Sequence, residues 1–106
     1  NPGGRVTDAV LVGIVLGVDL LGVNRVMVVE HTRCAMGSST EKEMRAKLTA
    51  STGQDSTWMT LGMIEDQRAA LAEDVRRVTS HPLIPDTVQV GGFIYDVDTG
   101  LLEGVC

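Results

Sequence analysis

Hydrophobic and polar positions alternate differently in each part of the chain, and each pattern predicts an element. Residues 6 to 23, VTDAVLVGIVLGVDLLGV, are apolar almost all round apart from Asp8 and Asp19. Thr7 suits a helix N-cap, Asp8 suits the first turn, and Gly22 suits the stop. The longest charge-free run, residues 9 to 18, is shorter than the ~20 residues a membrane span needs. A helix this apolar is therefore expected to be buried inside the protein. Gly13 and Gly17 lie one turn apart, which predicts close packing against a neighbouring element. Residues 25 to 30, RVMVVE, are too few for a helix and rich in valine, the pattern of an interior strand of a parallel sheet. Thr40 with Glu43 fits a capping box and predicts a short helix over about 40 to 49. Residues 51 to 62 have no period and predict a loop, or an irregular excursion carrying the only tryptophan. Ile64, Leu71, Val75 and Val78 recur at helical spacing and predict a helix over about 64 to 80, with a Glu73–Arg77 pair on its surface and Arg76 and Arg77 at its negative end. HPLIP ends it, because proline cannot continue a helix. TVQVGGFIYDV reads as a strand, DTG as a turn needing positive φ at Gly100, and LLEGV as a short return strand.

The order helix, strand, helix, helix, strand, strand is that of an α/β chain. It is an incomplete one. A strand apolar on both faces needs parallel neighbours, whereas the remaining strands read as a hairpin at the far end. Unpaired strand edges leave backbone groups unsatisfied. The expectation is that residues before Asn1, or another chain, complete the sheet.

Composition narrows the class. The chain has 106 residues, room for one domain, with 43% hydrophobic and 22% charged residues, values of a folded protein rather than a disordered one. Nine basic against fourteen acidic residues give a net charge of −5. That balance argues against a nucleic-acid footprint, and no basic cluster suggests a membrane surface. Two cysteines, Cys34 and Cys106, do not make a disulfide framework. The opening residues lack a signal-peptide pattern, so a reducing cytosol is the expected compartment.

The candidate chemistry lies in VMVVEHTRCAMG, residues 26 to 37. Ligands of open parallel sheets bind beyond the carboxyl ends of strands, and His31 and Cys34 stand there. Imidazole and thiolate together suit Zn²⁺. Taken alone, the spacing equally fits a buried cysteine beside a histidine capping the strand, and that is the plainer reading. His81, before Pro82, suits a contact with a helix C-terminus. A Cys34–His31 nucleophile and base would need opposed geometry that one short loop rarely gives. Neither G-x-G-x-x-G nor G-x-x-x-x-G-K-[ST] occurs.

Four segments together resemble a known family along essentially the whole chain. NPGGRVTDAV resembles the N-A-G-G loop and long helix of β-class carbonic anhydrases. VEHTRCAM resembles their H-T-x-C-G-M zinc loop, EDVRRVTSHPLIP the following helix with its closing prolines, and VGGFIYDVDTGLLEGV the terminal hairpin. The resemblance is to the C-terminal two-thirds of such a protein. It implies one partial domain over residues 1 to 106 with an α/β, Rossmann-like three-layer sandwich: a central, mostly parallel sheet, a C-terminal strand hairpin, and N-terminal strands missing from this chain. It implies Zn²⁺ as cofactor, with His31 and Cys34 as two ligands. A cysteine of a C-x-D-x-R motif, absent from this sequence, would be the third. The Asp–Arg pair of that motif would orient the nucleophile, so the catalytic pair is expected upstream of Asn1, and the 106 residues alone are expected to be inactive. Gly3 and Gly4 would border the substrate pocket. The implied activity is reversible hydration of CO₂ to bicarbonate by zinc-bound hydroxide, in a homodimer or larger homo-oligomer. Hydrolysis of carbonyl sulfide or carbon disulfide on the same scaffold, and a non-catalytic assembly module, are the alternatives. Arg33 stands where the family often has Asp, Ala35 where it has Gly, and Pro2 where it has Ala.

Overall fold

The computed structural model describes residues 1 to 106. Its elements are α1 (Asp8–Leu21), β1 (Arg25–His31), a single 3-10 turn (Ala35–Gly37), α2 (Glu41–Thr52), α3 (Gln67–Thr79), β2 (Gln89–Tyr95) and β3 (Leu102–Gly104). The chain is α/β, with a three-stranded mixed sheet in the order β1-β2-β3 and three α-helices. β1 runs parallel to β2, from Arg25 opposite Gln89 to His31 opposite Tyr95. β3 runs antiparallel to β2. The first strand of the hairpin is thus also the parallel neighbour that the sequence reading did not find for β1. The other side of β1 is an edge.

Local signals act where they were read. Thr7 caps α1 through its hydroxyl, and Gly22 ends it in the left-handed region at φ 73°. Thr40 Oγ1 accepts from Glu43 N–H at 3.2 Å, and α2 then continues to Thr52 before Gly53 stops it, beyond the expected 49. Gly100 has φ 72° in the hairpin turn.

Other expectations give way to longer-range contacts. α3 starts at Gln67 rather than 64, because Asp66 is the N-cap and accepts from Ala69 N–H at 3.0 Å. Ile64 is buried all the same, in the preceding loop, where its N–H donates to Met36 O at 2.7 Å. Arg77 does not pair with Glu73. It bonds Asp8 and the Val6 carbonyl, tying the start of α1 to the end of α3. His81 Nδ1 accepts from Leu83 N–H at 3.1 Å, so its ring closes the turn that follows α3.

The core is Val6, Val28, Leu71, Val78, Ile84 and Ile94, with Leu11, Ile14 and Val15 of α1 packed against it. All these side chains lie on one face of the sheet. Met27 and Val29, on the other face of β1, are exposed. α1 is likewise not buried: only one stripe meets the core, and Leu20 and Leu21 are 73% and 80% exposed. Gly13 faces open space and Gly17 meets only Val23, so neither supports the expected close packing. No helix is long and apolar enough to cross a membrane. Both cysteines are free.

Candidate metal centre

β1 carries its chain to the carboxyl edge of the sheet, where His31 is the last strand residue. Thr32 N–H still donates to Tyr95 O at 2.9 Å, and Thr32 Oγ1 accepts from Val97 N–H at 3.0 Å. The backbone then reverses at Arg33, the one non-glycine residue with positive φ, at 54°. Its guanidinium pairs with Asp98 of the hairpin turn. Cys34 follows in an extended conformation, and its carbonyl accepts from Gly37 N–H at 3.0 Å. The left-handed position of this loop is therefore Arg33. Ala35 lies in the 3-10 turn with no positive φ, so its methyl group meets no backbone conflict.

These constraints bring His31 and Cys34 to one cavity of about 190 Å³, whose wall also includes Arg33, Gly37, Ile64, Glu65 and Gln67. His31 Nδ1 lies 2.9 Å from Thr32 O. A carbonyl only accepts, so Nδ1 is the donor here and Nε2 is the nitrogen left to face a metal. Gln67 Nε2 donates to His31 O at 2.9 Å, fixing the strand end to the start of α3. Imidazole nitrogen and thiol sulfur are the donor types Zn²⁺ prefers. The pair fits part of a tetrahedral set, and no third His, Cys, Asp or Glu, Glu65 of the same wall included, stands close enough to complete a metal-holding group.

Gly3 and Gly4 are not in the cavity wall; they form the layer behind it. Asn1 Oδ1 accepts from Gly4 N–H at 2.9 Å and closes a turn in which Gly3 and Gly4 have φ 75° and 79°. A Cβ on Gly3 would sit 3.2 Å from Cys34 Sγ, and one on Gly4 would sit 2.2 Å from Val29 O. The turn thus rests on both β1 and the Cys34 thiol.

Arg5 and Asp74, which the sequence reading did not single out, form a group of charges with Glu30. Asp74 is fully buried. It accepts from Arg5 Nε at 2.6 Å, Arg5 Nη2 at 3.1 Å and Val6 N–H at 2.9 Å. This pairing raises the guanidinium pKa further, against the opposing effect of burial. Glu30 is also fully buried, yet neither carboxylate oxygen has a hydrogen-bond partner. Burial pushes its pKa up, and Arg5 and the nearby Gln67 only partly offset this. Period-two alternation with Val26 and Val28 puts Glu30 on the core face, the one sequence signal that could have found it. The Arg5–Asp74 contact spans 69 positions and leaves no local trace.

No protein-family model matches the chain. It is 31% identical over 108 residues to beta-carbonic anhydrase 1 of Mycobacterium tuberculosis, covering 99% of this chain and 64% of that protein. It is 28% identical over 121 residues to carbon disulfide hydrolase of Acidithiobacillus thiooxidans, covering 97% of this chain and 55% of that protein. Among solved structures, carbonic anhydrase from Streptococcus mutans superposes with a TM-score of 0.90 at 33% identity, covering 100% of this chain and 64% of that one. The chain therefore spans less than two-thirds of the length of the relatives it matches. The fold and the similarity along the whole chain agree with these relatives, and the chain resembles part of a β-carbonic anhydrase.

Proposed function

We propose that this chain is part of a zinc enzyme that reversibly hydrates CO₂ to bicarbonate, with His31 and Cys34 as two of the metal ligands. The observation that supports this most is their placement on one cavity at the carboxyl end of a parallel strand. The remaining protein ligand and an Asp–Arg pair to orient the nucleophile would come from residues outside this chain. When bound, zinc supplies a nucleophile at neutral pH by lowering the pKa of water to about 7.

The chain's own residues hold the geometry. Thr32 O fixes the His31 tautomer, and Gln67 holds the strand end. Gly3 packs against Cys34, Ile64 and Met36, leaving no room for a side chain beside the thiol. Ile64 gives the cavity an apolar wall suited to a neutral, linear substrate. Water and CO₂ give bicarbonate and a proton, and the chain's role is to bind and orient rather than to bond covalently. The bare apolar residues of α1 and of the sheet support assembly into a homodimer or larger, and the free thiols suit a reducing cytosol.

The test is zinc content and CO₂ hydration of the full-length protein, with carbon disulfide assayed in parallel. Near-stoichiometric zinc, lost in His31→Ala and Cys34→Ser, and hydration well above the uncatalysed rate are expected. Hydrogen sulfide release from carbon disulfide without CO₂ hydration would assign the other chemistry found among its relatives. Absence of zinc from protein purified without chelators would remove the proposal.

A further inference from the structure

We infer that Arg33 is a specificity-determining residue, a cation at the cavity rim that takes the anionic form of the substrate pair, bicarbonate. This rests on the hydration reading given above. Three observations carry it. Arg33 is the only lysine or arginine among the residues that line the cavity, beside His31 and Cys34. Its backbone is in the left-handed region, a conformation that non-glycine residues adopt at a cost and that persists only where surroundings enforce it. The enforcing contacts come from the hairpin, Thr32 N–H to Tyr95 O and Val97 N–H to Thr32 Oγ1, with the Arg33–Asp98 pair beside them.

The Arg33–Asp98 pair is the part that can change. Both side chains are exposed, at 69% and 61%, so their attraction is screened and weak. A guanidinium offers a planar fork of donors that matches two oxygens of a carboxylate-like anion. Bicarbonate presents that face, and CO₂ does not. Asp98 therefore acts as a built-in competitor that holds Arg33 at the rim when no anion is bound. Glu65, on the same wall, opposes anion entry and limits the affinity.

The experiment is a titration of the zinc-loaded, full-length protein with sodium bicarbonate at constant ionic strength. It follows the Arg33 Nε–H signal by NMR, and separately the inhibition constant of bicarbonate as product in CO₂ hydration. In the unsubstituted protein the Arg33 signal moves with saturation. Arg33→Gln raises both constants five- to tenfold, and Arg33→Lys recovers part of the loss because the charge remains without the fork. Asp98→Asn lowers both constants by twofold or more by freeing the guanidinium. Unchanged constants in Arg33→Gln, or an Arg33 signal that bicarbonate does not move, overturn the inference while leaving CO₂ hydration intact. A protein whose Arg33 binds bicarbonate yet never hydrates CO₂ retains the anion site and sinks the enzymatic reading instead.

Discussion

Replacing Gly4 by alanine should cost far more than an ordinary glycine-to-alanine change, because its Cβ would stand 2.2 Å from Val29 O, 3.0 Å from Val29 C and 3.1 Å from Glu30 Cα. Two costs add. At φ 79° a side chain in the left-handed region costs about 1–2 kcal/mol. A carbon so near a backbone oxygen must move by roughly 1 Å to reach ordinary contact, and overpacking of this kind costs about 1–3 kcal/mol. β1 cannot retreat alone, since its ladder to β2 begins on its other side. The expected total is about 2–5 kcal/mol. Gly53→Ala is the control. It has φ 69° with no atom within 4 Å, so only the backbone cost of about 1–2 kcal/mol applies. Urea denaturation followed by circular dichroism measures both. Equal losses in the two variants would refute the claim that the Asn1–Gly4 turn is seated on β1. Because Val29 lies two residues before His31, Gly4→Ala should also lower zinc retention while Gly53→Ala does not.

Three further outcomes follow from the charges. Arg5→Ala leaves the fully buried Asp74 without its ion-pair partner and should destabilise by about 3–5 kcal/mol in the same denaturation assay; a loss below 1 kcal/mol would mean the pair is not buried in solution. Glu30→Met replaces a buried carboxyl group that has no hydrogen-bond partner by an apolar chain of similar length, so stability should rise by about 1–2 kcal/mol, and a clear loss would show that Glu30 has a partner after all. The Glu41 carboxylate accepts from Met63 N–H at 2.8 Å and Leu61 N–H at 3.1 Å, and these bonds lower its pKa. A lowered folded-state pKa adds stability above the unfolded value that is lost as pH falls through the folded one. The amide shifts of Leu61 and Met63 should therefore titrate with a midpoint below the ordinary glutamate value of about 4.3, and Glu41→Gln should abolish that titration.

The elements that were legible in the sequence are those set by neighbouring residues. Thr7, Gly22, Thr40 and Gly100 act through contacts within a few positions, and each does locally what its residue type predicts. The strand end that carries His31 and Cys34 was also legible, and both residues line one cavity there, but the spacing alone favoured a buried cysteine beside a capping histidine, and the zinc expectation came from the resemblance. What was not legible depends on partners far along the chain. Ile64 has helical spacing to Leu71 but its N–H donates to the Met36 carbonyl, and Asp66 starts the helix later. Arg77 ignores the convenient Glu73 for Asp8 and the Val6 carbonyl, which surround it only after folding. The apolar wrap of α1 suggested burial on all sides, yet one chain covers only one stripe of it. Arg33 illustrates the converse case. Its departure from the family pattern was visible, but its left-handed backbone and its hold on Asp98 were not.

The edge of β1 and the uncovered valines and leucines beside it have a consequence for handling the protein. A strand with one open side and an adjacent oily surface is a template for indiscriminate pairing with other chains. Arg25 is the sole charged side chain exposed along that strand, too little to repel an approaching copy. Expressed by itself, this sequence should drift toward aggregates as its concentration rises, and whatever normally lies along that edge would serve it as a chaperone as much as a structural neighbour.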